Sequence, residues 1–223
     1  MAKDFCNQQV VDGYDQHIRQ LIPGYELVHQ QILAILKVHL PKDAHVLIIG
    51  AGTGYELGYL LQNFPQCRFT VTELSQPMLE KAKDYVATWN KDDRVNFILG
   101  SHTEFEHIPQ FDAVLSILVA HFVHFEQKLE FMHTARLSMK PNGIFLTFDL
   151  TQFNFEQEAE TLKQMCLMNG LLDKQVEAML TRLKDDFYTL STKETFALLS
   201  DAGFSQVHSF AQVLCYQGFI AQH

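Results

Sequence analysis

The sequence predicts an α/β fold, with a mostly parallel, doubly wound sheet of seven strands and an antiparallel last strand. Short apolar runs alternate with stretches of helical apolar spacing through the middle of the chain. The run 111–118 is almost continuously apolar, as expected of a central parallel strand covered on both faces. A glycine-rich turn follows the first apolar run, at 50–54. Together these features predict strands connected by helices that cross over the sheet.

The first half of the chain shows this alternation clearly. After a polar stretch over residues 1–24, apolar residues at helical spacing predict a helix over 25–40 that stops before Pro41. Further helices are predicted after the glycine turn and after Ser75, which is placed to cap the second of them. Strands are predicted at 45–49, 68–73, 95–99 and 111–118.

The second half departs from the alternation after the fifth strand. A helix over about 126–139 and a turn at 141–143 lead into a strand at 144–150. Residues 151–189 show two helical stretches and no strand, and Ser191 with Glu194 forms a capping box for the next helix. Two strands are predicted in 207–221, around a break near 215–218.

We therefore expect one domain over residues 1–223, built from four parts. These are an N-terminal helical cap at 1–40, a core at 44–150, a helical insertion at 151–189, and a C-terminal helix with strands at 190–223.

Composition limits the possible partners. The chain of 223 residues has a formal net charge of −9, and its Lys and Arg residues form no cluster. Nucleic-acid-binding surfaces are usually basic, so a nucleic-acid partner is not expected. The four cysteines form no CxxC pair, and no metal site is expected from them. Lys3 and Asp4 stand near the start, residues 7–9 are polar, and no apolar run approaches the roughly 18 residues of a membrane span. We expect a cytoplasmic protein without a membrane segment.

The strongest chemical signal is the turn Gly50-Ala51-Gly52-Thr53-Gly54. Glycines there let the backbone approach a ligand, and the following helix directs its N-terminal amides at the same place. Glu73 stands at the end of the next strand, where an acidic side chain can accept hydrogen bonds from ribose hydroxyls. The combination predicts an adenosine-containing ligand. Tyr55 occupies the position of the last glycine in the dinucleotide pattern G-x-G-x-x-G, which argues against NAD.

The turn resembles motif I of the class I S-adenosylmethionine-dependent methyltransferases. Residues 72–79 resemble the D-x-S-x-x-M-L segment of that family, and 111–116 resemble its F/Y-D-x-V strand. Residues 137–143 resemble its L-K-P-G-G turn, so the match covers about 44–150. The resemblance implies a Rossmann-like fold and S-adenosylmethionine as the cofactor.

The N-terminal flank also resembles one branch of that family, which contains small-molecule methyltransferases and carboxy-S-adenosylmethionine synthases. The resemblance implies that Arg19 pairs with the methionine carboxylate and that Tyr14 caps the site. The full set of expected cofactor-binding residues is Tyr14, Arg19, Gly50, Ala51, Gly52, Gly54, Glu73, Leu74, Met78, Ser101, His102 and Leu118. Two positions depart from the family: Ile48 replaces a common acid, and Ser101-His102 replaces Asp-Ala after Gly100.

His121 is the candidate catalytic residue. It follows the fourth strand, at the edge of the sheet where ligands bind, and an imidazole suits a general base. Residues 151–189 are rich in Phe, Leu and Met, which favours a lid over a small acceptor, with Met165 expected to point inward. A helical cap packed on the core, or a homodimer interface, would produce the same composition.

These observations favour a methyltransferase that acts on an unidentified small-molecule acceptor. A carboxy-S-adenosylmethionine synthase, linked to tRNA modification, is the second hypothesis. It would need a cation near the reacting methyl group, and the tail 206–223 contains no Arg or Lys. A non-catalytic S-adenosylmethionine-binding protein is a third. An NAD oxidoreductase is disfavoured by the glycine spacing and by the lack of a Tyr-x-x-x-Lys pair.

Overall fold

A computed structural model describes residues 5–89, 92–105 and 108–223. These residues form a central sheet with helices on both faces. The strands are β1 (His45–Ile49), β2 (Arg68–Glu73), β3 (Val95–Leu99), β4 (Phe111–Ile117), β5 (Met139–Leu150), β6 (Ser205–Val213) and β7 (Tyr216–Gln222). The helices are α1 (Gln8–Asp12), α2 (Tyr14–Leu21), α3 (Tyr25–His39), α4 (Tyr55–Asn63), α5 (Gln76–Ala87), α6 (Lys128–Leu137), α7 (Glu158–Met168), α8 (Asp173–Asp185) and α9 (Thr192–Asp201).

The sheet has seven strands in the order β3-β2-β1-β4-β5-β7-β6. Strands β1 to β5 pair in parallel, and β7 runs antiparallel between β5 and β6. This confirms the predicted Rossmann-like fold with an antiparallel last strand and a helical insertion after the fifth strand. The strand order reverses at β1 and β4, and ligands of such sheets bind at the carboxyl ends of the strands on either side of that point.

Apolar side chains from both faces of the sheet hold these elements together. Leu47, Val114, Leu115 and Leu146 are fully buried in the central strands. The predicted helix caps are present as well: the Ser75 hydroxyl accepts a bond from the Met78 amide at 3.3 Å, and Ser191 with Glu194 forms a capping box. Within the described residues, no helix is both long and apolar enough to cross a membrane.

The N-terminal helices and the insertion pack against each other near the site. Ile18 and Ile22 are buried at the end of α2. The Cys166 thiol of α7 lies 3.4 Å from the Leu21 carbonyl oxygen, and the Asn169 amide donates to the Gln20 carbonyl at 3.3 Å. Because α7 and α8 follow β5 at its carboxyl end, these contacts bring the insertion over the ligand-binding edge of the sheet.

Three predicted boundaries differ from the structure. Strand β5 begins at Met139, not at 144, because Met139 pairs with Phe111 before a register shift. The helix predicted at 126–139 is a 3-10 turn at Phe125–Gln127 followed by α6. The reversal between the last strands lies just before Tyr216, where Leu214 has a φ of +53°, so the break predicted near 215–218 was placed too late.

Candidate functional site

A cavity of about 760 Å³ opens at the carboxyl ends of β1, β2 and β4. Its volume lies within the range of ligand sites for drug-sized molecules. Most of the residues predicted to bind the cofactor line it together. These are Tyr14, Gly50, Gly52, Glu73, Leu74, Met78, Ser101, His102 and Leu118.

The glycine turn forms one wall of the cavity with its backbone, since its glycines have no side chains to fill the space. Gly50 has a φ of +67°, and a Cβ on it would lie 2.6 Å from a methyl group of Val119. Gly52 has a φ of +52°, and a Cβ on it would meet no described atom within 4 Å. The backbone at Gly52 therefore borders open space, while the Gly50 and Ala51 amides are fixed by the Thr72 carbonyl at 2.8 and 3.1 Å.

Glu73 is fixed by the backbone at the end of β2. One carboxylate oxygen accepts from the Gly52 amide and the other from the Ser75 amide, each at 2.9 Å. Each carboxylate oxygen has a second lone-pair direction, so both can still accept a hydroxyl proton. Glu73 lines the cavity in this orientation, as the sequence predicts for a ribose-binding acid.

Ser101 and His102, which follow β3, also line the cavity. His102 is 2% exposed, and its Nε2 lies 3.0 Å from the Phe131 carbonyl oxygen. Burial lowers the pKa of His102, so the ring is neutral and Nε2 carries the proton that it donates to this carbonyl. The Ser101 hydroxyl accepts from the Thr103 amide at 3.3 Å.

The N-terminal segment closes part of the cavity. Phe5 and Cys6 line it with Tyr14, and the Ser75 hydroxyl donates to the Phe5 carbonyl at 2.6 Å. The Phe5 ring contacts the rings of Tyr14 and Phe122 edge to face. Burial, followed by the charge of Glu56, raises the pKa of Tyr14, which keeps its phenol protonated.

The three remaining predicted cofactor residues lie outside the cavity lining. Arg19 pairs with Glu26 at 2.7 Å, and its guanidinium lies 4.6 Å from the centroid of the Tyr55 ring. Gly54 precedes α4 with a φ of +82°, and Ala51 is buried within the turn. Gly54 and Ala51 thus shape the turn in this structure. A role for Arg19 in cofactor binding remains a prediction.

A second cavity of about 230 Å³ adjoins the first and shares its walls at Phe5, Tyr14, Leu118 and Phe122. The insertion lines it through α8, by residues spaced three and four apart along one helix face. These are Gln175, Ala178, Met179, Arg182 and Leu183. Met165, expected to point inward, is not among the residues that line this cavity.

Leu118 lies between the two cavities in a strained conformation. Its φ is +60°, and its amide donates to the Phe148 carbonyl at 2.7 Å. A bulky residue in the left-handed region costs about 1–3 kcal/mol, and such residues are frequent at ligand sites. The chain therefore turns sharply after β4, and Leu118 borders both cavities.

His121 lines the second cavity and is held by a carboxylate. Its Nδ1 lies 2.9 Å from Asp149 Oδ1, and its backbone amide donates to the same oxygen at 3.3 Å. The Thr147 hydroxyl donates to the other oxygen of Asp149 at 2.5 Å. Because a carboxylate accepts at Nδ1, that nitrogen carries the proton of the neutral ring, and Nε2 keeps its lone pair.

Sequence reasoning missed several residues of this site. Asp149 lies at the end of β5, the same edge of the sheet as His121, and that position was the available signal. Arg182 lies on the face of α8 that lines the second cavity. Phe5 and Phe122 are aromatic residues near predicted site residues, but only the folded chain brings them together.

Comparison with known proteins agrees with this geometry. The family model described as "Methyltransferase domain" matches residues 47–145. The carboxy-S-adenosyl-L-methionine synthase of Desulfotalea psychrophila is 26% identical over 99% of this chain and 92% of its own length. The same-named protein of Chromohalobacter salexigens is 23% identical over 96% of this chain and 82% of its own length.

Solved structures show the same fold. A Nostoc punctiforme protein assigned as an O-methyltransferase superposes with a TM-score of 0.71 at 18% identity, covering 97% of this chain and 59% of that one. Phosphoethanolamine N-methyltransferase 2 of Haemonchus contortus, solved with S-adenosyl-L-methionine, gives 0.63 at 18% identity, covering 93% and 44%. The present chain thus spans about half the length of these two solved chains. The matched core, the glycine turn and the fold agree: the chain is similar to the class I S-adenosylmethionine-dependent methyltransferases.

Proposed function

We propose that this protein transfers the methyl group of S-adenosylmethionine from the larger cavity to a small acceptor in the second cavity. The observation that carries the proposal is the shared wall of the two cavities at Tyr14, Leu118 and Phe122. A bisubstrate reaction requires two ligands to meet end to end, and adjoining cavities place them within reach of each other.

The residues that line the larger cavity match the parts of this cofactor. Glu73 would accept from the ribose hydroxyls, with Ser101 and His102 beside the adenine. Tyr14 and the glycine turn would surround the methionine end. Ile48 offers no charge there. Asp15 accepts from the Thr53 hydroxyl of the turn at 2.5 Å, but it pairs with Lys81 at 2.8 Å and does not line the cavity.

His121 supplies the proton chemistry in this proposal. When bound, S-adenosylmethionine supplies an electrophilic methyl carbon, whose bond to sulfur breaks as the acceptor atom bonds to it, leaving S-adenosylhomocysteine. Nε2 of His121 accepts the proton that a hydroxyl or amine acceptor loses. Asp149 keeps the imidazole in the required tautomer and stabilises the imidazolium that results.

The second cavity indicates the class of acceptor. A volume of about 230 Å³ suits a small molecule, and Ile18, Leu150 and Phe187 make much of its lining apolar. Polar contacts are available from His17, His121, Gln175 and Arg182. We therefore infer a small, partly apolar acceptor. The net charge of −9 disfavours a nucleic acid, whose phosphates a negative surface repels.

One observation favours the second candidate, a carboxy-S-adenosylmethionine synthase. The curated relatives have that name, and Arg182 brings a guanidinium to the second cavity. The absence of Arg and Lys from the tail 206–223 thus does not exclude a cation beside the reacting group. Arg182 also pairs with Asp186 at 3.0 Å, which neutralises part of its charge.

Mass spectrometry separates the two candidates. The protein would be incubated with S-adenosylmethionine carrying a deuterated methyl group and a small-molecule cell extract. Methyl transfer predicts S-adenosylhomocysteine and a labelled metabolite. The synthase predicts a product in which a carboxyl group replaces one deuterium of the labelled methyl group. The Glu73→Ala variant is the control for enzyme-dependent labelling. If the protein binds the cofactor but forms neither product, both candidates are contradicted and a binding protein is favoured.

Cytoplasmic location and oligomeric state remain predictions. The contacts of Cys166 and Asn169 with α2 support the insertion as a lid on its own chain. A homodimer through the exposed Met168 and Leu172 is the alternative use of this segment. Size-exclusion chromatography with light scattering distinguishes a monomer from a dimer.

A further inference from the structure

Lys128 is a buried lysine that the proposed reaction does not yet use. It begins α6, is 4% exposed, and its Nζ donates to the Ala120 carbonyl at 2.5 Å. Lysine is almost never fully buried without a specific partner. Ala120 directly precedes His121, so this hydrogen bond fixes the backbone that carries the candidate base.

Lys128 also lies close enough to Asp149 for their charges to interact. A small cavity of about 30 Å³ is lined by Lys128, Asp149 and His121 together. The side chains of Thr147 and Thr195 line it too. Asp149 thus contacts the imidazole and interacts with the charge of Lys128.

We propose that Lys128 is a positioning residue for His121, acting through Asp149 and the Ala120 carbonyl. This inference rests on the proposed role of His121 as the base. The charged ammonium orients the Asp149 carboxylate toward His121, which keeps the proton on Nδ1 and leaves Nε2 free to accept a proton. The same ammonium anchors the 120–122 turn, while the Tyr188 amide fixes it from the other side by donating to the His121 carbonyl at 2.9 Å.

The arrangement should respond to pH, because burial lowers the pKa of Lys128 to about 8. Below that pH the ammonium is present, and above it the cation beside Asp149 is lost. The other titratable or charged side chains that line the two small cavities at His121 are Tyr14, His17, Arg182, Tyr188 and Tyr216. Of these, the tyrosines and Arg182 ordinarily titrate well above pH 8, and histidine well below it.

NMR of the His121 ring in the intact protein tests this inference. We expect the ring nitrogen and carbon signals of His121 to show an inflection near pH 8 in the wild type. Lys128→Met should abolish that inflection. Lys128→Arg should also abolish it, since arginine does not titrate there, while retaining the Nδ1–H signal throughout. Lys140→Met, which alters a part-buried pair with Asp112 remote in sequence from His121, is the control and should leave the inflection in place.

The result that would overturn the inference is an inflection that persists in Lys128→Arg, or its absence from the wild type. A purely structural lysine would lower the melting temperature on substitution without changing how the His121 signals depend on pH. If Lys128→Met fails to fold, the arginine variant still decides. The experiment uses no acceptor, so its outcome is independent of whether methyl transfer is found.

Discussion

At the scale of single residues, the proposed cofactor recognition depends most on Glu73. Its replacement by alanine removes acceptors for two ribose hydroxyls. Hydrogen bonds to a charged group are worth about 1.5–3 kcal/mol, so the affinity for S-adenosylhomocysteine should fall roughly ten- to a hundred-fold. Calorimetry measures this directly. Glu80→Ala, on the exposed face of α5, is the control. Unchanged affinity in a folded Glu73→Ala variant would contradict the ribose assignment.

Glu56 predicts a pH-dependent stability at the same scale. It is 8% exposed, and burial raises its pKa to about 7. A raised pKa means that the folded state holds its proton more tightly than the unfolded state. The contribution of Glu56 to the free energy of unfolding is therefore fully present below about pH 4.5. It is lost as the pH rises through about 7. Glu56→Gln should stabilise the protein at pH 8 by about 1–3 kcal/mol and have little effect at pH 4.

Urea unfolding of both proteins at the two pH values checks this prediction. Glu26→Gln is the matched change at an exposed glutamate. Because Glu26 pairs with Arg19, this substitution should lower the stability at pH 8, the opposite sign to Glu56→Gln. Equal stability of wild type and Glu56→Gln at pH 8 would show that Glu56 carries no burial penalty.

The residues of the cofactor cavity were largely predictable, whereas those around His121 were not. Gly50, Gly52 and Glu73 follow strands that the apolar pattern identifies, so their position at the sheet edge follows from the fold. Asp149 also ends a strand, but its contact with His121 depends on which strands are neighbours. The 2.9 Å bond arises because β4 and β5 pair in parallel.

At the scale of elements, α8 is expected to shape the acceptor site. Met179 is 8% exposed and lines the second cavity only. Met179→Ala should reduce turnover several-fold to tenfold by enlarging the cavity, with the affinity for S-adenosylhomocysteine nearly unchanged. Met168→Ala, at an 85% exposed position on α7, should change neither quantity. A parallel loss of cofactor affinity in Met179→Ala would show that α8 does not serve the acceptor.

The N-terminal segment is the second element with a predicted role. Phe5 and Tyr14 line both cavities, so a bound cofactor should hold this segment in place. We expect S-adenosylhomocysteine to protect residues 5–24 from limited proteolysis. Arg19→Ala should weaken cofactor binding, since the guanidinium organises Tyr25, Glu26 and Tyr55 beside the glycine turn. Equal cleavage of this segment with and without ligand would argue against both expectations.

Elements with a clear pattern of apolar residues or a visible cap were predicted well, whereas those fixed by tertiary contacts were not. Buried strands such as β1 are short apolar runs, and α9 begins at a capping box that is visible in the sequence. Helices α1 and α2 have few apolar residues. Helix α1 packs against α5, and α2 contacts the insertion through Gln20 and Leu21. The early start of β5 depends on the pairing of Met139 with Phe111, which no local pattern specifies.

At the scale of the whole molecule, the fold joins two cavities at one sheet edge. The reversal of strand order between β1 and β4 creates the larger cavity, and the insertion after β5 encloses the smaller one. The alternation of strands and helices predicts the first of these features. The second depends on how α8 packs against α2 and Tyr216, which the sequence pattern does not determine.

A crystal structure with S-adenosylhomocysteine tests the central claim most directly, because it locates the sulfur atom. We predict that Glu73 accepts from the ribose hydroxyls and that the sulfur faces the opening between the cavities, beside Leu118 and Phe122. His121 should then lie across that opening from the sulfur. A ligand bound elsewhere, or a sulfur directed away from the second cavity, would contradict the proposed transfer between the two sites.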